Sequence, residues 1–155
     1  MKIPFLSQFL NSEGDMKSGS PKITYDSGIN AGQKTQFGAL LTNIKRELPE
    51  LLAVSVVELR SGKLLATHHI PGKLAPGKAA GYNAEVIRQK QQALQVMGLA
   101  EEEAIEDILV TLNTQWHILR LLPGNRTFLH LMVNMRDTNL GIAREVVRSQ
   151  AHAAA

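Results

Sequence analysis

The sequence predicts an α/β (α+β) domain with three helices and five strands in the order α-β-β-α-β-β-β-α. Two patterns indicate this class: apolar residues at helical spacing in three segments, and Val-, Leu- and Ile-rich runs separated by turn residues. The length of 155 residues suits one compact domain with a tail. We therefore expect a three-layer domain built on a mostly antiparallel five-stranded sheet.

The first half of the chain predicts a tail, a helix and a hairpin. Residues 1–34 are interpreted as a flexible N-terminal tail, because small polar residues dominate it and apolar periodicity is weak. From Thr35, apolar residues recur at three- and four-residue spacing and predict a helix that Pro49 ends. Strands over 52–59 and 64–69 then form a hairpin around a turn at 60–63.

The second half predicts a loop, a helix, three strands and a last helix. The loop at 70–78 holds two prolines and two glycines, and a second helix runs from about 80 to 97. Asp137 or Thr138 can cap the last helix, which ends near 150. The domain thus spans 35–150, and 151–155 is expected to be a disordered tail. The three strands are predicted at 105–113, 115–122 and 127–135, with apolar residues on both faces, so both faces of the sheet should be covered.

Composition excludes several function classes. The chain has no cysteine, which rules out a disulfide, a thiolate zinc site and an iron–sulfur cluster and fits a cytoplasmic location. No apolar run approaches the roughly 20 residues needed to span a bilayer. The net charge of +3 is mild, aromatic content is 5% and no nucleic-acid-binding motif is present. Binding to nucleic acid or another anionic surface, through a basic stretch that includes Lys73, Lys78 and Arg88, therefore stays only as a less favoured alternative.

One segment comes close to a phosphate-binding motif. Residues 72–79 match G-x-x-x-x-G-K, but Ala79 lacks the hydroxyl that would bind magnesium and Pro76 removes a backbone N–H. A basic loop carrying Lys73 and Lys78 is the favoured interpretation. A nucleotide- or anion-binding protein using this loop stays as the alternative function.

The sequence gives no catalytic residue, cofactor or metal site. His68 and His69 are adjacent on a strand and so point to opposite faces, and no carboxylate lies at a useful spacing from His117 or His130. No G-x-S-x-G motif occurs. We expect a protein that is not an enzyme.

Three segments resemble the Roadblock family, known for dynein light chains and for bacterial partners of Ras-like GTPases. Its first hairpin is similar to Leu52-Ala53-Val54-Ser55-Val56-Val57 followed by Ser61-Gly62-Lys63-Leu64-Leu65-Ala66. Its fourth strand and turn are similar to residues 116–124, and the start of its last helix to residues 137–144. The resemblance covers about 35–148.

The resemblance implies a homodimer in which the third strands pair edge to edge and the second helices lie side by side. Ile108, Val110 and Leu112 would form that edge, which is otherwise a long apolar strand of the kind that soluble proteins protect. It also implies a regulatory or scaffold protein that binds a Ras-like small GTPase, or another protein partner, and modulates the GTPase's nucleotide cycle. The partner face would be on the second helix, at Tyr82, Glu85, Arg88, Gln89 and Gln92.

Overall fold

The structure, a computed structural model, describes residues 22–72 and 75–155. The described elements are β1 (Thr24–Tyr25), α1 (Ala31–Glu47), β2 (Ala53–Glu58), β3 (Leu64–His69), α2 (Pro76–Val96), β4 (Asp107–Thr111), β5 (Gln115–Leu121), β6 (Thr127–Asn134) and α3 (Leu140–Ala153). The predicted α+β class and order of elements are confirmed. The prediction of five strands was wrong, because the described residues already form a six-stranded sheet.

The sheet is antiparallel, in the order β1-β3-β2-β6-β5-β4. The additional strand, β1, pairs Thr24 with Thr67 and Tyr25 with Ala66. It lies in the segment predicted to be a flexible tail. A strand of two residues is too short to show the alternation by which strands are predicted from sequence, which explains why it was missed.

α1 also begins inside the predicted tail, four residues before Thr35. Asn30 caps it: its side chain accepts a hydrogen bond from the Gln33 backbone N–H at 2.8 Å, and the Gln33 side chain accepts one from the Asn30 N–H at 3.1 Å. This reciprocal capping box fixes the start of a helix whose first turn holds no large apolar residue. The remainder of the predicted tail, residues 1–21, lies outside the described residues.

The other end of the chain is helical where a disordered tail was predicted. α3 continues to Ala153, and Ala151 is buried against the core beneath α1 and α3. The cap is Asn139, whose side chain accepts from the Ile142 N–H at 3.2 Å, in place of Asp137 or Thr138. The buried contacts of Ala151 stabilise the last turns of α3, although their alanine-rich sequence shows no helical periodicity.

Both faces of the sheet are covered, as the apolar strands predict. α1 and α3 pack on one face, and α2 packs on the other through Ala80, Ala84 and Ile87, which meet Val57 and Phe128. α2 lies mainly over β2 and β3, so it leaves much of the same face of β4 uncovered. In the described part of the chain, no helix combines the length and apolar character that a membrane crossing requires.

Candidate protein-interaction surface

β4 is an edge strand of the sheet. It pairs with β5, and no strand among the described residues pairs with its outer side. Ile108 is partly buried in the core beneath α2, and by strand alternation Val110 and Leu112 lie on the same side of the sheet. Val110 is 38% exposed and Leu112, just past the end of β4, is 44% exposed. The three residues predicted for a dimer edge thus lie together beside unpaired backbone groups.

α2 adds two exposed apolar side chains on this side of the sheet. Tyr82 is 80% exposed and Val86 is 42% exposed. Their four-residue spacing places them one above the other on the helix. We call Val86, Val110 and Leu112 the β4–α2 surface, and Tyr82 is the more exposed of the two α2 side chains. Exposed aliphatic and aromatic side chains beside an open strand edge are typical of surfaces that bind protein.

Three of the predicted partner residues are engaged within the chain. The Arg88 guanidinium donates to the Leu59 carbonyl at 2.6 Å and to the Arg60 carbonyl at 2.9 Å, and its other nitrogen donates to Glu85 at 2.6 Å. The Gln89 amide donates to Glu85 at 2.7 Å. The two hydrogen bonds to Glu85 lower the pKa of its carboxyl. The bond from Gln89 has the largest effect, and the bond from Arg88 has the next largest. Arg88 therefore fastens α2 to the β2–β3 turn.

Of the five predicted partner residues, Arg88 is partly buried and held by its own chain, while the other four are exposed. Arg88 faces the β2–β3 turn, whereas Asn83, five residues earlier, faces β6 on the opposite flank of α2. Since β6 lies between β2 and the β5–β4 edge, the Arg88 flank points away from β4. Tyr82 and Gln92 are exposed with no role in fastening α2. Sequence periodicity separates a helix's polar side from its apolar side but does not reveal the carbonyls of a distant turn.

The β2–β3 turn lies against α2 with little space between them. Gly62 has a φ of +71°, and a Cβ placed on it would lie 2.6 Å from the Gly81 Cα. The absence of a side chain at Gly62 thus permits a backbone contact that a Cβ there would prevent, whereas a Cβ on Gly81 would meet no atom of the described residues within 4 Å. This contact positions the Leu59 and Arg60 carbonyls, to which Arg88 donates.

A chain of four polar side chains crosses from α2 to β5 beneath the helix. Asn83 Nδ2 lies 3.1 Å from His130 Nδ1, His130 Nε2 lies 3.3 Å from His117 Nδ1, and His117 Nε2 lies 3.1 Å from Gln115 Oε1. With the Asn83 amide nitrogen donating, each histidine accepts at Nδ1 and donates from Nε2–H. We call this arrangement the histidine chain. Its hydrogen bonds are complete when both rings are neutral.

Burial keeps the two rings neutral. His130 is 2% exposed, and desolvation, together with the neighbouring His117, lowers its pKa from 6.5 to about 4. His117 is partly buried, and desolvation lowers its pKa as well. The cause is the cost of placing a charge among apolar atoms. Sequence patterns do not show the cross-strand register that joins these two histidines.

The structure brings together two of the four histidines considered as ligands. His68 is buried on the α1 side of the sheet, opposite to His117 and His130, and His69 ends β3. Across 22–72 and 75–155, no three His, Asp or Glu side chains are grouped so as to hold a metal ion.

The basic segment 72–79 is divided between a loop and a helix. α2 begins at Pro76, so Lys78 lies in its first turn rather than in the predicted loop, and it is exposed. Proline suits this position because the first helical N–H has no partner within the helix. Ala75 precedes the helix and offers no side-chain cap. Lys73 lies outside the described residues. The described part of the segment provides no hydroxyl ligand for magnesium.

A sheet with α1 and α3 on one face, α2 on the other and an open β4 edge is the architecture of roadblock domains. Comparison with solved structures shows this fold. The chain is similar to Myxococcus xanthus MglB, with 14% identity and a TM-score of 0.69 over 80% of this chain and 88% of that one. It is also similar to the gliding protein MglB of Thermus thermophilus, with 16% identity and a TM-score of 0.61 over 81% and 95% of the two chains.

A third solved structure, a Roadblock/LC7 domain from Streptomyces avermitilis, is similar with 10% identity and a TM-score of 0.60 over 74% of this chain and 91% of that one. No protein-family model matches the sequence, and no curated protein matches it either. At these identities the likeness establishes the fold and leaves function to be argued from the surface.

Proposed function

We propose that the protein is a non-catalytic, cytoplasmic homodimer that binds a Ras-like small GTPase and modulates its nucleotide cycle. The roadblock-type fold supports a regulatory or scaffold role. The resemblance of the sequence to the Roadblock family is the reason for proposing a small GTPase as the partner. The observation that carries the proposal is the β4–α2 surface, where apolar side chains flank the outer edge of β4, which no strand of the described residues covers. The described part of the segment 72–79 offers nothing comparable for the nucleotide-binding alternative.

A second copy of the chain fits this surface. Two β4 strands related by a two-fold axis would exchange backbone hydrogen bonds and join the two six-stranded sheets into one. Because α2 lies over β2 and β3, space beside it on the β4 side of the sheet is available for the partner's α2. Such pairing would cover Val110 and Leu112 and would remove the exposed edge.

The GTPase would then bind the outer side of the paired α2 helices. Tyr82 is the side chain best suited as an anchor, because a large aromatic ring with a hydroxyl contributes both apolar area and a hydrogen bond. Gln92 is exposed farther along α2. If the protein stimulates hydrolysis, we expect it to act by shaping the GTPase site, since Arg88 is held by its own chain.

The dimer is tested by Val110→Lys, which places a cation at the centre of the proposed strand pairing. We expect V110K to be monomeric by analytical ultracentrifugation, with unchanged far-UV circular dichroism. Ile142→Lys is the matched control, because Ile142 is 58% exposed but lies on α3, on the opposite face of the sheet. I142K should stay dimeric. A wild-type protein that is monomeric at high concentration would contradict the proposed dimer.

The GTPase is tested by retention of proteins on immobilised wild-type protein in the presence of GDP or a non-hydrolysable GTP analogue. We expect a small GTPase, identified by mass spectrometry and then purified, to bind in one nucleotide state. Tyr82→Ala should weaken that binding about tenfold or more, as loss of a buried aromatic anchor does. Ile142→Ala should bind as wild type. Failure to retain any small GTPase in either state would remove the GTPase from the proposal and leave the dimer.

A further inference from the structure

The histidine chain lies directly behind the β4–α2 surface. In the β4–β5 ladder His117 is opposite Val110, so its ring is on the same side of the sheet as that exposed residue. At the other end of the histidine chain, Asn83 is next in sequence to Tyr82 and three residues before Val86. The histidine chain therefore connects the two parts of the β4–α2 surface, the edge strand β4 and the helix α2.

The surroundings of the two rings carry little charge. By strand register the neighbours on their face are Val110 from β4, Leu119 from β5, Met132 from β6 and Ser55 from β2, all of them uncharged. Asn83 faces them from α2, and Lys90 lies about two turns farther along the same flank of that helix. On the remaining strand of this face, β3, the titratable group is His69, which is opposite Ala53. Asp107 and Arg120 pair with each other on the other side of the sheet.

An added proton disrupts the histidine chain. His117 accepts at Nδ1 from His130, so a proton on that nitrogen would set two donors against each other at a separation of 3.3 Å. Relief would require His130 to change tautomer and Asn83 to turn its amide. These two changes alter the contact between α2 and the sheet. The protonated His117 ring also places a charge beneath the helix.

We propose that mild acid dissociates the homodimer by protonating His117. The proposal rests on the homodimer proposed above. In the free protomer His117 is partly exposed, next to an uncovered Val110; a second copy seated on the β4–α2 surface covers that side and separates His117 from water. A buried histidine takes up a proton less readily than an exposed one. Free protomers therefore bind protons that the dimer does not, and a fall in pH shifts the equilibrium towards them.

The test is the dimer dissociation constant of the full chain at pH 7.5 and at pH 5.5, measured by fluorescence-detected ultracentrifugation. Because each dimer carries two copies of His117, we expect the constant to rise about tenfold or more over this interval. In His117→Asn the Asn Oδ1 can still accept from His130 but cannot become charged. Its constant should change less than threefold. His152→Asn removes an exposed histidine of α3 and should keep the wild-type dependence.

Each outcome separates the two proposals. A wild-type dimer whose constant does not change with pH would overturn the inference and leave the homodimer intact. Retention of the full pH dependence in H117N would also overturn it, because other groups would then be responsible. A chain that is monomeric at pH 7.5 would instead overturn the homodimer itself. Far-UV circular dichroism at both pH values establishes that the protomer stays folded.

Discussion

At the scale of single residues, polar groups beneath α2 are as well defined as the apolar core around them. His130 is a large, fully buried polar side chain, and both of its ring nitrogens have hydrogen-bond partners. A buried ring in that position is tolerated because it is neutral and satisfied. The same conditions make it sensitive to protonation, because an added proton places a charge among apolar atoms and removes the acceptor that the ring offers to Asn83.

We predict that stability falls as pH falls from about 6.5 towards 4. The folded pKa of His130 is lowered, so the unfolded chain binds a proton in this interval that the folded chain does not. The difference between 6.5 and about 4 corresponds to about 3 kcal/mol of unfolding free energy once pH reaches 4. Urea denaturation at fixed protein concentration from pH 7 to pH 4.5 measures it.

The control is a pair of variants. His130→Gln should be less stable than wild type at pH 7, because its hydrogen bonds to Asn83 and His117 are disturbed, but its stability should depend less on pH. His152→Gln, at an exposed position, should follow the wild-type profile. An H130Q profile as steep as that of wild type would show that other groups dominate the acid response.

Gly62 allows a second prediction at this scale. Gly62→Ala combines a left-handed backbone with a Cβ 2.6 Å from the Gly81 Cα, and we expect it to lower the unfolding free energy by about 2 kcal/mol or more. Gly124→Ala is the matched control. Its φ is +87°, and no atom of the described residues lies within 4 Å of the added carbon, so about 1 kcal/mol should be lost. Equal losses of unfolding free energy in G62A and G124A, measured by thermal denaturation, would show that the turn is not in close contact with α2.

At the scale of elements, α2 is the component that the sequence describes least completely. Its apolar residues predict a helix, which is confirmed. Its buried side is formed by Ala80, Ala84 and Ile87, whereas the larger apolar side chains Tyr82, Val86 and Met97 are exposed. Among its polar residues, Arg88 donates to the β2–β3 turn and to Glu85, which also accepts from Gln89. These hydrogen bonds couple the position of α2 to the hairpin.

We predict that Arg88→Ala loosens α2. The Leu59 and Arg60 carbonyls lose their charged donor, so we expect a loss of about 1 to 2 kcal/mol of unfolding free energy. The matched control, Gln92→Ala, changes an exposed position one turn later and should cost less than about 0.5 kcal/mol. Hydrogen exchange in α2 should accelerate in R88A alone. A variant as stable as wild type would contradict the fastening role.

At the scale of the whole molecule, the sheet has two different edges. β1 covers one side of β3 with two residues, whereas β4 closes the other end with five residues and an apolar neighbourhood. Asp107 at the start of β4 accepts from the Arg144 guanidinium at 2.9 Å, which ties this edge strand to α3. A firmly held, unpaired edge is suited to pairing with a second copy.

Hydrogen exchange by mass spectrometry tests this pairing across the molecule. In the proposed dimer, amides on the outer side of β4 donate to the partner, so we expect slow exchange for this strand in wild type and faster exchange in V110K. β6, in the middle of the sheet, should exchange slowly in both. Fast exchange of β4 in a wild-type dimer would place the interface elsewhere.

The sequence by itself determined the class, the order of elements and the two apolar faces of the sheet, because hydrophobic periodicity and turn chemistry are local. It missed β1 and the start of α1, where pairing and a cap act on segments without periodicity. Only the tertiary structure decided that Arg88 reaches a distant turn and that His117 meets His130. Such contacts join residues far apart in the chain, and strand register, which no single strand encodes, sets which side chains meet.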